Sequence, residues 1–348
     1  MGKHMLFLVH GVGDTKPGWS KDVQQLIREL YDKYNPLSLL VPFDQNFAFQ
    51  EIYYNDKFDE RREAWKKHAE EVLQVIVKGG LDANAAKLLA SYSAEPGRDN
   101  FLNTHVLDVI FYRFIPQIAE QVRNAVCLQI LKTLSTQPQA DTLCWSVIAH
   151  SLGTAVTHDT LHAMYTQSGT AGALPPSVTR CKVLAMLANV SRMLETDADV
   201  YTSVVRPNVS PASGVCDYFI NACHEWDPIP VPKQFRPPDD WLNVETRHDN
   251  RYQSLFINAI ESEDVHDLKH YLKNPKIHIP LFRALTWQSV IDDATLVAAS
   301  AQYEASTPIG QFQDWIEKLK KIWPDEQSGW QETIKTFRGF QDLLNKDA

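Results

Sequence analysis

The residues best suited to chemistry in this chain stand where apolar runs end. The run from Trp145 to Ile148 stops at Ala149-His150-Ser151-Leu152-Gly153, and a helical pattern follows at once. Trp, Val and Ile in so short a run read as a buried strand. A small residue two before a serine and a glycine two after it suit a strand-to-helix turn too tight for larger side chains. Such a turn lifts the Ser151 hydroxyl above the sheet edge as a nucleophile. It also turns the Leu152 N–H toward the oxygen of a reacting carbonyl. Ala149 fits the first small position as long as its φ stays negative. An incidental serine in an ordinary strand–turn–helix has the same five letters, so the remaining groups must be sought elsewhere.

Two later clusters supply them. One apolar run ends in Cys223-His-Glu-Trp-Asp-Pro-Ile-Pro230. Pro228 keeps Asp227 out of helix and in a fixed turn, where a carboxylate can accept a hydrogen bond from a histidine and fix its tautomer. Glu225 is the alternative acid. The next cluster holds three histidines, His266, His270 and His278. Asp267 suits a helix N-cap, and Leu268, Tyr271 and Leu272 then form one apolar face. That leaves His266 on the loop just before the helix, free to reach over the sheet edge. His270 falls inside the helix, where a structural role suits it better, and it stays the alternative base, with His278 a more distant third.

The elbow motif resembles that of the α/β-hydrolase superfamily, most closely its lipase and esterase branches. Ala149 stands where the usual pattern has Gly, a form that some bacterial lipases of the family share. His10-Gly11-Val12-Gly13 after the first apolar run resembles the His-Gly pair of that family. Asp227-Pro-Ile-Pro230 resembles its late-strand acid, and the segment from Glu261 to Pro275 its histidine loop. The resemblance runs motif by motif over residues 5–285, in the chain order Ser, acid, His.

It implies Ser151 as nucleophile, His266 as base and Asp227 as the acid that orients it. The Val12 and Leu152 amides become the oxyanion hole, and His10, Gly11 and His150 line the substrate. The implied fold is α/β: a mostly parallel central sheet flanked by helices, with a helical cap and a C-terminal helical extension. The implied activity is hydrolysis of a small-molecule acyl ester through an acyl-enzyme, with no cofactor. A thioesterase or acyltransferase with the same triad, or an inactive hydrolase-like binding protein, are the alternatives.

Other chemistry is weaker. His158 and His162 lie four apart on one helix with Asp159 beside the first, a spacing that can offer two imidazoles to a metal. Asp stands where the metalloprotease pattern needs Glu, so surface or packed histidines are the better reading and no metal is expected. The five cysteines, at 127, 144, 181, 216 and 223, are odd in number and irregularly spaced, which favours reduced buried thiols over a disulfide framework.

Strands are expected at 5–9, 47–54, 143–149, 181–188, 216–222 and 253–260, alternating with helical segments as in a doubly wound sheet. Ser20 is expected to cap a helix ending near Tyr34. Residues 101–134 read as one long helix bent at Pro116. The stretch from 56 to about 110 exceeds what a crossover needs and is expected to form the cap. Residues 286–348 read as helical segments, starting with 286–305, packed on a 1–285 core.

With 348 residues, the chain allows one large domain or two ordinary ones. The formal net charge of −9, with no basic patch, points away from nucleic acid. No apolar run is long enough to span a membrane. A core strand begins within five residues of Met1, which leaves no room for a signal peptide. A cytoplasmic protein is therefore expected, with a subunit contact open at its C-terminal helices.

Overall fold

Strand β1 (His4–Val9) is the apolar run that opens the chain, and all of it is buried. Its side chains alternate between two layers. Phe7 and Val9 join one core cluster, while Leu6 and Leu8 join another on the opposite face. A strand with both faces covered needs no polar alternation, so the run reads as continuously apolar. The computed structural model describes residues 3–11, 15–34, 41–60, 78, 108–109, 111–137, 144–166, 181–195, 199–207, 214–227, 229–237, 251–261, 264–286 and 291–307.

Around β1 the chain builds a six-stranded sheet in the order β2-β1-β3-β4-β5-β6. The other strands are β2 (Phe47–Ile52), β3 (Trp145–His150), β4 (Cys181–Leu187), β5 (Cys216–His224) and β6 (Tyr252–Ile257). Every pairing is parallel. Helices cover both faces. Helix α1 (Lys21–Lys33) and the short α2 (Phe43–Asn46) lie in the β1–β2 connection. Helices α3 (Pro116–Ser135) and α4 (Leu152–Thr166) pack on each other over the Phe7–Val9–Trp145 face. Beyond β6, α5 (Leu268–Lys273) and α6 (Pro275–Thr286) cover the opposite face, and α7 (Asp293–Ser306) packs on α6. This is an α/β architecture.

The strand order has one consequence for chemistry. From β1 the chain goes to one side to make β2, then returns to the other side to make β3 and everything after it. The loops leaving β1 and β3 therefore diverge and open a crevice at the C-terminal ends of those two strands, where open α/β sheets bind ligands. His10 and Ser151 occupy those two ends.

Three expectations are corrected here. Ser20 precedes α1 but makes no side-chain capping bond. Its N–H and hydroxyl both donate to Glu51 Oε2, at 2.9 and 2.7 Å, and its Oγ accepts from Gln24 Nε2 at 2.8 Å, so the lone pair a cap would offer the helix amides is engaged elsewhere. Pro116 does not bend a long helix but starts a new one. Residues 111–114 are helical, Ile115 is extended (φ −118°, ψ 92°), and Pro116 takes the first turn, where its missing N–H costs nothing. The expected helix at 286–305 is divided between the end of α6 at Thr286 and α7, whose N-cap Asp292 accepts from Thr295 N.

Most of the expected cap, 61–77 and 79–107, and the chain beyond 307 lie outside the described residues. No helix among the described residues is long and apolar enough to cross a membrane. All five cysteines are free thiols, four of them buried.

Candidate functional site

Ser151 sits in the one-residue gap between β3 and α4, in the left-handed region at φ +54°. A non-glycine residue there is strained and must be held by its surroundings. Its N–H donates to Leu187 O at 3.0 Å, as if β3 continued one residue further. Its carbonyl accepts from Thr154 N at 2.8 Å and from Thr154 Oγ1 at 2.6 Å. The Thr154 hydroxyl in turn accepts from Val190 N at 3.0 Å, tying the turn to the end of β4. Ser151 and Ala188 are the non-glycine residues with positive φ among those described, so Ala149 has the negative φ it needs.

Two glycines make the turn sterically possible. A Cβ on Gly153 would stand 2.3 Å from His10 O and 2.9 Å from Val9 O, so α4 could not start this close to β1. A Cβ on Gly11 would come within 2.7 Å of the Ser151 Cβ.

Three side chains distant in sequence meet above this turn. His266 Nε2 lies 2.8 Å from Ser151 Oγ, and His266 Nδ1 lies 2.7 Å from Asp227 Oδ2. All three residues are buried. The ionised carboxylate can only accept, so Nδ1 carries the proton and the neutral ring leaves Nε2 open to the serine O–H. His270 and His278 are engaged elsewhere. His270 packs edge-on against the His224 ring at 5.2 Å, and His278 joins Leu272 O and Tyr34 OH. Asp267 caps α5 by accepting from Lys269 N at 3.1 Å, which leaves His266 on the preceding loop.

Each member is held by further bonds. Asp227 Oδ1 accepts from Ile229 N at 3.0 Å, and Oδ2 also accepts from Tyr271 OH at 2.7 Å. His266 N donates to Asp264 Oδ1 at 3.0 Å. His150 Nε2 donates to His266 O at 2.6 Å, and the two rings lie 4.8 Å apart. The residue before the serine thus pins the loop that carries the histidine.

Electrostatics follow from the pairing. Burial disfavours a charged His266, but the Asp227 charge and the hydrogen bond to it outweigh burial and raise the imidazole pKa above 6.5. Burial likewise opposes the Asp227 charge. The His266 ring and the donors on the carboxylate prevail and lower its pKa below 3.8.

On the β1 side, Gly11 lines the cleft with its backbone. The His10 ring donates from Nδ1 to Gly11 O at 2.6 Å and stacks on Tyr54 at 4.1 Å. Tyr54 OH donates to His10 O at 2.6 Å. Burial lowers the His10 pKa to about 4, so the ring is neutral. Val12 lies outside the described residues. Leu152 is the first residue of α4, where backbone N–H groups have no partner within the helix.

Next to the serine is a cleft of about 260 Å³. Thr15, Trp19 and Asp22 from the segment after β1 line it, together with Asp264, Asp267 and Lys269 from the segment around His266. Glu51 holds the Trp19 side in place by accepting from Gly18 N at 2.6 Å as well as from Ser20.

The His158 and His162 rings lie 6.3 Å apart, and each uses its Nδ1 in a hydrogen bond to a neighbouring side chain. His158 Nδ1 bonds Asp159 Oδ1 at 2.9 Å, Tyr112 OH donates to Asp159 Oδ2 at 2.8 Å, and His162 Nδ1 meets Ser203 Oγ at 3.0 Å. Among the described residues no group of three or more His, Cys, Asp or Glu is arranged to hold a metal.

Sequence reasoning missed Tyr271, read as an apolar face residue, and the anchoring roles of His150, Thr154 and Glu51. A tyrosine on an apolar helix face was the available signal, since a buried phenol needs a partner for its O–H. No protein-family model, curated protein or solved structure matches the chain.

Proposed function

We propose that the chain is a serine hydrolase of the α/β-hydrolase type that cleaves carboxylic esters through a Ser151–His266–Asp227 triad. One arrangement carries this reading. A serine strained into the left-handed region at a strand end touches His266 at 2.8 Å, and that ring touches a buried carboxylate at 2.7 Å.

The steps follow from the hydrogen-bond directions. His266 Nε2 takes the proton as Ser151 Oγ adds to the acyl carbonyl. Asp227 keeps the ring in the tautomer that can accept it and stabilises the imidazolium that forms. The Leu152 N–H, with Val12 as the expected second donor, faces the oxyanion. His266 then gives the proton to the leaving alkoxide, which departs as an alcohol. Water, deprotonated by the same ring, releases the acid and restores Ser151. The nucleophile, base and acid are all side chains of this chain.

A fluorophosphonate probe tests the proposal. The full-length chain should be labelled and should hydrolyse p-nitrophenyl acetate, while Ser151→Ala should show neither. Loss of a triad member in such enzymes costs about 10⁴-fold or more in kcat. A folded wild-type chain that resists the probe and leaves the ester intact would overturn the reading.

A further inference from the structure

Tyr271 makes a contact that a core residue does not require. It is fully buried on α5, and its hydroxyl lies 2.7 Å from Asp227 Oδ2, the same oxygen that receives the His266 ring proton. The direction of that bond is determined. His224 N–H donates to the phenol oxygen at 2.9 Å, and a carboxylate only accepts, so the single phenol hydrogen points at Asp227. Burial, then the neighbouring Asp227 charge, raise the phenol pKa well above 10, so the group stays a neutral donor.

We propose that Tyr271 is a positioning residue of the triad: its O–H shares Asp227 Oδ2 with His266 and so sets how much negative charge the carboxylate presents to the imidazole. A donor on the shared oxygen draws electron density from it and weakens its hold on a protonated ring. Tyr271 therefore keeps His266 less basic than Asp227 alone would make it. The same short helix serves both partners, because its N-cap Asp267 directly follows His266 while Tyr271 grips the acid. The inference rests on the hydrolase reading for its catalytic meaning, though not for its electrostatics.

Among the described residues, the other titratable groups facing this pair are few. Asp264 and Asp267 flank His266 and favour its charged form. His150 lies 4.8 Å from the His266 ring and 6.1 Å from the Tyr271 ring. From the end of β5, His224 is held neutral, its pKa lowered to about 4 mainly by burial, and burial pushes the Cys223 thiol up. His270, on α5 itself, packs against His224 and is lowered, again mainly by burial. Tyr271 OH and the His266 ring both donate to Asp227 Oδ2, so removing the phenol hydroxyl changes that oxygen directly.

Two changes at one atom test this. Tyr271→Phe removes the O–H and keeps the ring. Replacing Tyr271 by 3-fluorotyrosine makes the phenol a stronger donor. In pH profiles of kcat/KM for p-nitrophenyl acetate, the acidic limb reports His266. It should move up by ~0.5–1 pH unit in Tyr271→Phe and move down in the fluorinated protein. A residue that only fills space would not shift the limb in opposite directions. If both limbs stay at the wild-type position, or both move the same way, the proposal is overturned. If Tyr271→Phe does not fold, the fluorinated protein still decides, since a limb that fails to move down overturns it. The imidazole pKa of His266, read by NMR in histidine-labelled chain and assigned with His266→Gln, should show the same opposite shifts without any turnover. Opposite shifts there, in a chain that neither labels nor hydrolyses, would leave Tyr271 in its role and sink only the hydrolase reading.

Discussion

Gly153 stands directly against the end of β1: a Cβ at that position would lie 2.3 Å from the His10 carbonyl oxygen. Backbone atoms cannot retreat as a flexible side chain can, so either α4 or β1 would have to move. Gly153→Ala is therefore expected to destabilise the fold by about 1–3 kcal/mol in urea titration, in spite of alanine's better helix propensity. It should also slow fluorophosphonate labelling far more than the stability loss explains, because Ser151 rides on the displaced turn. A variant as stable and as reactive as wild type would show that the contact is slack.

The raised pKa of His266 sets the direction of the pH profile. As the proposed base, the ring must be neutral to accept the serine proton, so activity is expected to rise as it deprotonates. With the imidazole above its ordinary 6.5, the acidic limb of kcat/KM should have its midpoint above pH 6.5. In Asp227→Asn the carboxylate charge that opposes burial is gone. Its residual activity should be lower by about 10⁴-fold, with the midpoint moved below 6.5. Stopped assays from pH 5 to pH 9 would check both, and a wild-type midpoint below 6.5 would contradict the pairing.

Stability should respond to the same pair with the opposite sign. His266 has a raised folded pKa, so its contribution is complete below 6.5 and is lost as pH rises through the folded value. Asp227 has a lowered one, so its contribution is complete above 3.8 and is lost as pH falls through the folded value. The difference in melting temperature between wild type and Asp227→Asn should thus be largest between these pH values. It should shrink toward pH 9 without vanishing, since Tyr271 OH and Ile229 N still donate to the carboxylate. A difference that keeps growing above pH 6.5 would mean that the ion pair is not what holds Asp227.

Much of this was legible in the sequence, for a local reason. Strand ends carry turn chemistry, and Ser151, Asp227 and His266 are marked by the glycine, proline and N-cap beside them. The six strands were readable as apolar runs, with some ends in place and the others misplaced by up to three residues. What was not legible depends on partners far away in the chain. Nothing near Ser20 announces that Glu51, 31 residues on, will take its hydroxyl. Nothing near Tyr271 announces Asp227, 44 residues earlier. The buried Thr157, His158, Asp159 and Thr160 of α4 were hidden for a related reason: polar letters on a helix suggest solvent, while here the helix is enclosed.

Glu51 gives a prediction separate from the triad. Its carboxylate accepts from Gly18 N, Ser20 N and Ser20 Oγ, and so fixes the segment that brings Trp19 to the cleft. Glu51→Gln replaces one acceptor oxygen by an amide that faces donors. Bonds to a charged group contribute about 1.5–3 kcal/mol each, so a loss of that order is expected in chemical denaturation. Ser151 is not touched, so probe labelling should persist while KM for esters rises more than kcat falls. Equal falls in labelling and kcat would instead place Glu51 closer to the chemistry.

If the proposed ester hydrolysis holds, the cleft predicts which esters are preferred. Its volume is about 260 Å³, and Trp19, Val23 and Leu268 are interrupted by Asp22, Asp264, Asp267 and Lys269. A long acyl chain laid across these groups would strip water from charges and return nothing to them, which is unfavourable. A short acyl group fits beside Ser151 and leaves the charged rim wet. In a series of p-nitrophenyl esters, kcat/KM should therefore be highest for acetyl and butyryl groups and fall steeply by dodecanoyl. Asp22→Ala together with Asp267→Ala, which makes the rim less polar, should raise the rate on longer chains relative to acetate. Long-chain esters hydrolysed faster than acetate by the wild-type chain would show that the acyl group lies elsewhere than in this cleft.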